Sequence, residues 1–236
     1  MNTPQPSITV HFVSEWRIRR PHQYRYLEKQ FVDEFFSTGT LRLSSFAHFA
    51  NHADEQRLDR SEGRGIITHV NSEGEGQTVI AVMGQGQNAY VLCTSLIYSD
   101  ELASAFHTDS GFRINDIFSF ANAISRHVPG FSLGIEGPCV YLNQRVLDRD
   151  MGRIDIDSWR TDASAPDLDM GRMTQALSNM AGDDLYFLKN LKHASQSEYR
   201  LLWSTSGQMN PFIKILCPEA RQFCTPFENL RTEMGQ

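Results

Sequence analysis

Cysteine is scarce in this chain. Four stand in 236 residues, at 93, 139, 217 and 224, and no two form a C-x-x-C pair. The density is too low for a disulfide scaffold, and the spacing does not suit a structural zinc site. The thiols are expected to be reduced and mostly buried. Long apolar runs are missing as well: no stretch approaches the ~20 residues that a bilayer-crossing helix needs. Met1-Asn2-Thr3-Pro4-Gln5-Pro6 has neither a basic n-region nor an apolar core, so it does not read as a secretion signal. No internal repeat is visible, which excludes solenoid and propeller architectures. Nor is there a surplus of positive charge. A formal net charge of −6 argues against a protein that coats nucleic acid nonspecifically, though it leaves room for a local basic groove. These absences point to a cytoplasmic location and to no membrane partner.

What is present is ordinary for a globular protein with a sizeable core: 40% hydrophobic and 21% charged residues. The length suits one large domain. After a loose lead-in (1–7), residues 8–13 alternate as a strand. Pro21 breaks a basic link over 17–20, and 23–27 form a short strand. Residues 28–37 place Phe31, Val32, Phe35 and Phe36 on one helical face, and Gly39 follows as a stop. Residues 41–43 make a short strand that ends at Ser44-Ser45, where either hydroxyl also suits a helix cap. Residues 65–70 and 78–83 read as a hairpin, and 89–95 as a further strand. Helices are expected over 100–106 and 116–127, and a strand pair over 131–135 and 139–142. Residues 148–170, with Asp155, Asp157, Asp162, Asp167 and Asp169, read as a long acidic surface connection. Helices over 173–180 and 183–192, a strand over 211–216 and a loose tail (226–236) complete the chain. The expected fold class is α+β, a single domain over 1–236 with a mixed, mainly antiparallel sheet.

One late stretch carries the chemistry: Gln196-Ser197-Glu198-Tyr199-Arg200-Leu201-Leu202-Trp203. Read as a strand, it puts Gln196, Glu198 and Arg200 on one face and Tyr199, Leu201 and Trp203 on the other. The second set is a core face. The first puts an amide and a carboxylate within reach of one small ligand. A carboxylate so placed holds a ribose hydroxyl and stabilises positive charge at an anomeric carbon.

Upstream, Tyr24-Arg25-Tyr26 lies on an early strand and Ser44-Ser45 ends a second. The order Arg, Ser, Gln-x-Glu resembles the catalytic elements of the ADP-ribosyltransferase superfamily. The chain also looks like a bacterial family that opens on a Y-K-Y-R-like strand and closes on E-x-E-Y-R. The resemblance implies NAD as cofactor, bound in a cleft between two small sheets. It implies that Arg25 contacts the phosphates or the nicotinamide ribose. Tyr24 or Tyr26 would stack on the nicotinamide, and Ser44 or Ser45 would orient the carboxylate. Glu198 would be the catalytic residue, with Gln196 positioning the acceptor. It further implies a toxin or phage-defence effector, an RNA, DNA or protein acceptor, and an antitoxin or inhibitor as partner; NAD hydrolysis is a possible companion activity. Two features depart from the family's pattern. The intervening Thr of an S-T-S motif is absent at Ser44-Ser45, and His193-Ala194-Ser195 stands where an aromatic turn precedes the motif.

Basic residues flank these elements. Arg17, Arg19, Arg20, Lys192 and His193, with Lys189 beside them, are candidates for an acceptor-binding rim suited to a single-stranded nucleic acid. A different chemistry attaches to 46–62. If helical, that stretch aligns His48, His52, Glu55 and Asp59 on one stripe, a pattern that also serves a metal-dependent nuclease or hydrolase. A solvated polar face opposite Phe46, Phe49 and Ala53 is the plainer reading, and no metal ligand is assigned. A non-enzymatic binding protein, with Gln-x-Glu on an exposed edge, is the third alternative.

Overall fold

Residues 89–93 are a continuous apolar run, Ala-Tyr-Val-Leu-Cys, the pattern of a strand covered on both faces. That run is the spine of the main sheet in the computed structural model, which describes residues 20–50, 63–70, 78–84, 88–149, 155–162, 167–206 and 209–228. The strands are β1 (Gln23–Tyr26), β2 (Thr40–Ser45), β3 (Arg64–Val70), β4 (Thr78–Gly84), β5 (Ala89–Ser95), β6 (Ser110–Ile114) and β7 (Phe131–Pro138). They continue with β8 (Val140–Leu142), β9 (Val146–Arg149), β10 (Leu188–Asn190), β11 (Glu198–Thr205), β12 (Phe212–Leu216) and β13 (Cys224–Glu228). The α-helices are α1 (Lys29–Thr38), α2 (Phe46–Ala50), α3 (Asp100–Ala105), α4 (Ile117–Ser125) and α5 (Met170–Ala181).

The fold is α+β, with an open and mainly antiparallel main sheet. Strand β11 pairs with β5 along its whole length and with β7 on its other side. The second edge of β5 is shared. Strand β2 takes it at Tyr90 and Val91, while β1 takes it at Ser95. The sheet therefore forks around residues 92–94. One arm continues from β2 to β12, the other from β1 through β6 to β13. A three-stranded sheet (β4-β3-β9) and the parallel pair β8–β10 lie outside it.

Alternation explains the core. Tyr199, Leu201 and Trp203 project from one face of β11 into a cluster with Phe35 of α1, Phe112 of β6 and Phe120 of α4. Phe35 and Phe112 stack with ring centroids 4.8 Å apart. The Trp203 indole donates to the Ala121 carbonyl at 3.2 Å, so its one polar atom is satisfied inside the core. On the other face, Leu202 packs with Phe46, Ala89 and Val91. Asp116 caps α4 by accepting from the Ser119 amide at 3.0 Å, and Ser99 caps α3 by accepting from the Leu102 amide, also at 3.0 Å.

Four expectations are corrected. Residues 131–138 and 140–142 do not pair with each other: β7 pairs with β11 and β8 with β10. Residues 183–192 are not one helix but a 3-10 turn (Asp184–Phe187), strand β10 and the start of a second 3-10 turn (Leu191–Gln196). Gln196 ends that turn, Ser197 is left-handed at φ 42°, and the strand begins only at Glu198. Residues 226–228, expected in the loose tail, belong to β13 and pair with β6 at the sheet edge. Within the acidic connection, Ile156–Trp159 form a 3-10 turn and Arg160 bridges Leu168. The strand expected over 8–13 lies outside the described residues. No helix among the described residues is long and apolar enough to cross a membrane.

Gly39 closes α1 at φ 84°, its amide on the Phe35 carbonyl at 2.8 Å, and a Cβ there would lie 2.4 Å from Pro218 backbone atoms. Both the backbone conformation and the space require glycine. Gly39→Ala is expected to destabilise the protein by more than ~1 kcal/mol, read as a lowered midpoint in chemical denaturation. An unchanged midpoint would show that the turn relaxes freely.

Candidate functional site

The fork opens a cleft of ≈ 210 Å³ between the two arms of the sheet. Residues from three separated segments line it: Tyr24, Arg25 and Tyr26 from β1, Ser44 from β2, and Gln196 and Glu198 at the entry to β11. Lys189 of β10 lines it too, as do Arg42, His48 and Lys214, none of which has a place in the Arg, Ser, Gln-x-Glu pattern.

Arg25 Nη1 donates to the Cys93 carbonyl, a backbone acceptor at the fork itself. Tyr26 is buried, and its hydroxyl is committed twice: it donates to the Ile97 carbonyl at 3.0 Å and accepts from the Ser99 amide at 2.9 Å. Burial, only partly offset by the Ser99 amide, pushes this phenol up to about 12. Tyr24 is half-buried and rests against Tyr98 and Phe227, with centroids 5.4 and 6.4 Å away. The serines divide. Ser45 is buried and its Oγ accepts from the His48 amide at 3.3 Å, while Ser44 opens on the cleft.

At the floor, Gln196 and Glu198 meet through a third residue. Lys189 Nζ donates to Gln196 Oε1 at 2.7 Å and to Glu198 Oε2. Arg200 Nε donates to Glu198 Oε1 at 2.6 Å, and its Nη1 to the Tyr186 carbonyl. All four side chains are more than nine-tenths buried. Strand alternation puts Glu198 and Arg200 on one face, as expected from the sequence. Gln196 reaches the same place by a different route, through the left-handed turn at Ser197. The backbone around Glu198 is pinned as well: its amide donates to the Tyr141 hydroxyl at 2.6 Å, and its carbonyl accepts from the Cys139 amide at 2.8 Å. Burial alone would push the Glu198 carboxyl up. The Lys189 and Arg200 charges outweigh burial and hold it well below the usual carboxylate range.

Of the expected acceptor rim, Lys189 lines the cleft, while Arg20, Lys192 and His193 do not. Arg20 pairs with Glu136 at 2.5 Å and sits 5.4 Å over the Phe118 ring. Lys192 is exposed, His193 is buried, and neither lines the cavity. Arg17 and Arg19 lie outside the described residues. Of the His48 stripe, His52, Glu55 and Asp59 also lie outside them, and His48 Nε2 accepts from Arg42 Nη2 at 2.6 Å. One other cluster of metal-ligating types occurs among the described residues: His127, Cys217 and Glu219, with ligand atoms within 4.8 Å of one another. His127 Nε2 and Glu219 Oε1 are already paired at 2.7 Å, and burial pushes the Cys217 thiol up to about 11, so it stays protonated. Comparison with family models, curated proteins and solved structures returned no match.

The sequence places Lys189 in an expected helix and in the basic rim, and nothing local brings it to the carboxylate. In β10 it faces the Glu198 carboxylate; its loss would leave Glu198 paired with Arg200 alone and take a buried donor from Glu198 Oε2 and from Gln196 Oε1. Lys189→Met is expected to cost about 1–3 kcal/mol, measured by denaturation at neutral pH. Acid acts in the same place. A carboxylate depressed in the folded state contributes its stability fully above its ordinary value of 4.5 and loses it as pH falls toward the lower folded value. The stability gap between wild type and Glu198→Gln is therefore expected to be large at pH 7 and to narrow progressively below 4.5. A gap independent of pH would remove the charge argument.

Proposed function

We propose that this protein is an NAD-dependent mono-ADP-ribosyltransferase, a toxin or phage-defence effector that modifies a nucleic acid, RNA in the first place, or a protein. One observation carries the reading. Tyr24, Arg25, Ser44, Gln196 and Glu198, from three segments far apart in sequence, line a single cleft where the sheet forks. Their order and types are those that resemble the ADP-ribosyltransferase superfamily.

The residues present fit the dinucleotide. The cleft offers cations for a diphosphate, an aromatic ring in Tyr24, hydroxyls, and a carboxylate at its floor. Glu198 Oε1 accepts from Arg200 and Oε2 from Lys189. Each carboxylate oxygen has two lone pairs, so Oε2 retains an acceptor position for a ribose hydroxyl. NAD supplies a glycosidic bond with nicotinamide as its leaving group. Against that bond, Glu198 stabilises positive charge developing at the anomeric carbon. Lys189 is a positioning residue that keeps Glu198 ionised and aims Gln196 beside it. Gln196 orients the acceptor. Tyr24 would stack on the nicotinamide, since the Tyr26 ring is buried against Phe106 and Phe227. Arg25 holds the fork and presents a permanent positive charge to the ligand. An activity of this kind in a host cell calls for an antitoxin or inhibitor as partner.

Purified wild type, incubated with NAD in the presence of a chelator, is expected to release nicotinamide. Glu198→Gln, checked for folding by circular dichroism, is expected to do so on the order of 10²–10³ more slowly. Gln196→Ala is expected to keep NAD hydrolysis and lose transfer to bulk RNA or lysate protein. Nicotinamide release by Glu198→Gln at the wild-type rate would remove the catalytic assignment. Binding to a cellular component without any turnover would favour a non-enzymatic role.

A further inference from the structure

We infer that the β2–β12 wall of the cleft is a phosphate-binding subsite, built from Arg42, Ser44, His48 and Lys214, that takes the diphosphate of a nucleotide ligand. Its identification with the diphosphate of NAD rests on the transferase reading.

The argument begins with strand register. Arg42 and Lys214 are direct cross-strand partners in the β2–β12 ladder. Alternation puts Leu41, Leu43 and Ser45 on the buried side of β2, which leaves Thr40, Arg42 and Ser44 on the side that opens into the cavity. On β12, Ile215 faces the core, and Lys214 lines the cavity opposite Arg42. Like charges directly opposite each other weaken a ladder, so an Arg–Lys pair is a cost in the absence of an anion. The carboxylate nearest Lys214 among the described residues is Glu34, at 3.8 Å and partly exposed, a weak partner that a phosphate would outcompete.

Arg42 is already oriented for such a ligand. Its guanidinium lies 4.2 Å from the centroid of the Phe212 ring, and its Nη2 edge donates to His48 Nε2. Stacking fixes the plane, and the His48 bond fixes the rotation. The rest of the guanidinium is left to form paired hydrogen bonds with phosphate oxygens. The Ser44 hydroxyl sits one alternation step along the same face. His48 is itself held by the Ser45 cap on its amide. The anion wall and the Glu198 carboxylate line one cavity, so a single ligand with phosphates at one end and sugar hydroxyls at the other satisfies both.

The test uses the full chain and ADP as probe, with adenosine as the phosphate-free control, by isothermal titration calorimetry. Arg42→Gln and Lys214→Gln alter exposed side chains and are expected to leave the thermal midpoint unchanged. Wild type is expected to bind ADP and to bind adenosine at least about tenfold more weakly. Each variant is expected to weaken ADP binding at least about tenfold while leaving adenosine binding as it was. No ADP binding by wild type, equal binding of ADP and adenosine, or undiminished ADP binding by both variants would overturn the subsite. Nicotinamide release separates the two levels. Release with no dependence of ADP binding on Arg42 or Lys214 leaves the transferase standing and removes the subsite. Arg42- and Lys214-dependent ADP binding without nicotinamide release removes the transferase and keeps the subsite.

Discussion

Strand β5 has two edges and three strands bound to them, and the cleft is the consequence. Strand β11 occupies one edge from Ala89 to Ser95. Strands β2 and β1 divide the other, at Tyr90–Val91 and at Ser95. Backbone groups between the two ladders still need partners, since an unpaired buried carbonyl is costly. Arg25 meets that need by donating to the Cys93 carbonyl, as a backbone amide would in an unforked sheet. The group that closes the hydrogen-bond account at the fork is thus a permanent cation lining the cleft. Geometry and electrostatics at this point have one cause.

The floor of the cleft is held by charge rather than by apolar packing. A carboxylate between two cations in a dry site is a weak stabiliser overall, because desolvation consumes much of the attraction. It is a strong constraint on position, since each member is costly to leave unpaired. Strand β10 delivers Lys189 to Glu198, and its parallel neighbour β8 brings Tyr141 to the Glu198 amide. The small β8–β10 sheet therefore fixes both ends of the same residue, side chain and backbone. Glu198 is thereby fixed in position at the floor of the cavity, between the Lys189 and Arg200 charges.

Across the cavity the character changes. The Arg42–Lys214 wall is exposed and cationic, with the guanidinium braced by Phe212 and His48. The cleft thus has a buried carboxylate held between two cations at its floor and an exposed Arg42–Lys214 pair on its outer wall.

Local pattern was enough to determine much of this. Alternation in residues 198–203 separates Tyr199, Leu201 and Trp203 from Glu198 and Arg200; both faces are buried, and only the first set enters the hydrophobic cluster. The helical spacing of Phe35 with Val32 and the glycine stop at 39 locate α1. The apolar run at 89–93 locates the central strand. Each is a property of five to ten consecutive residues, and periodicity is set by backbone geometry alone. The sheet fork, the meeting of Lys189 with Gln196 and Glu198, and the facing of Arg42 by Lys214 are of another kind. They depend on which distant strands pair and in what register, and a shift of one residue would send every side chain to the opposite face. Residues 188–190 read as helix because three residues are too few to show a strand period, and only pairing with β8 makes them a strand. The sequence by itself determined the local elements and the face on which each side chain stands; the pairing of strands far apart in the chain decided which side chains meet.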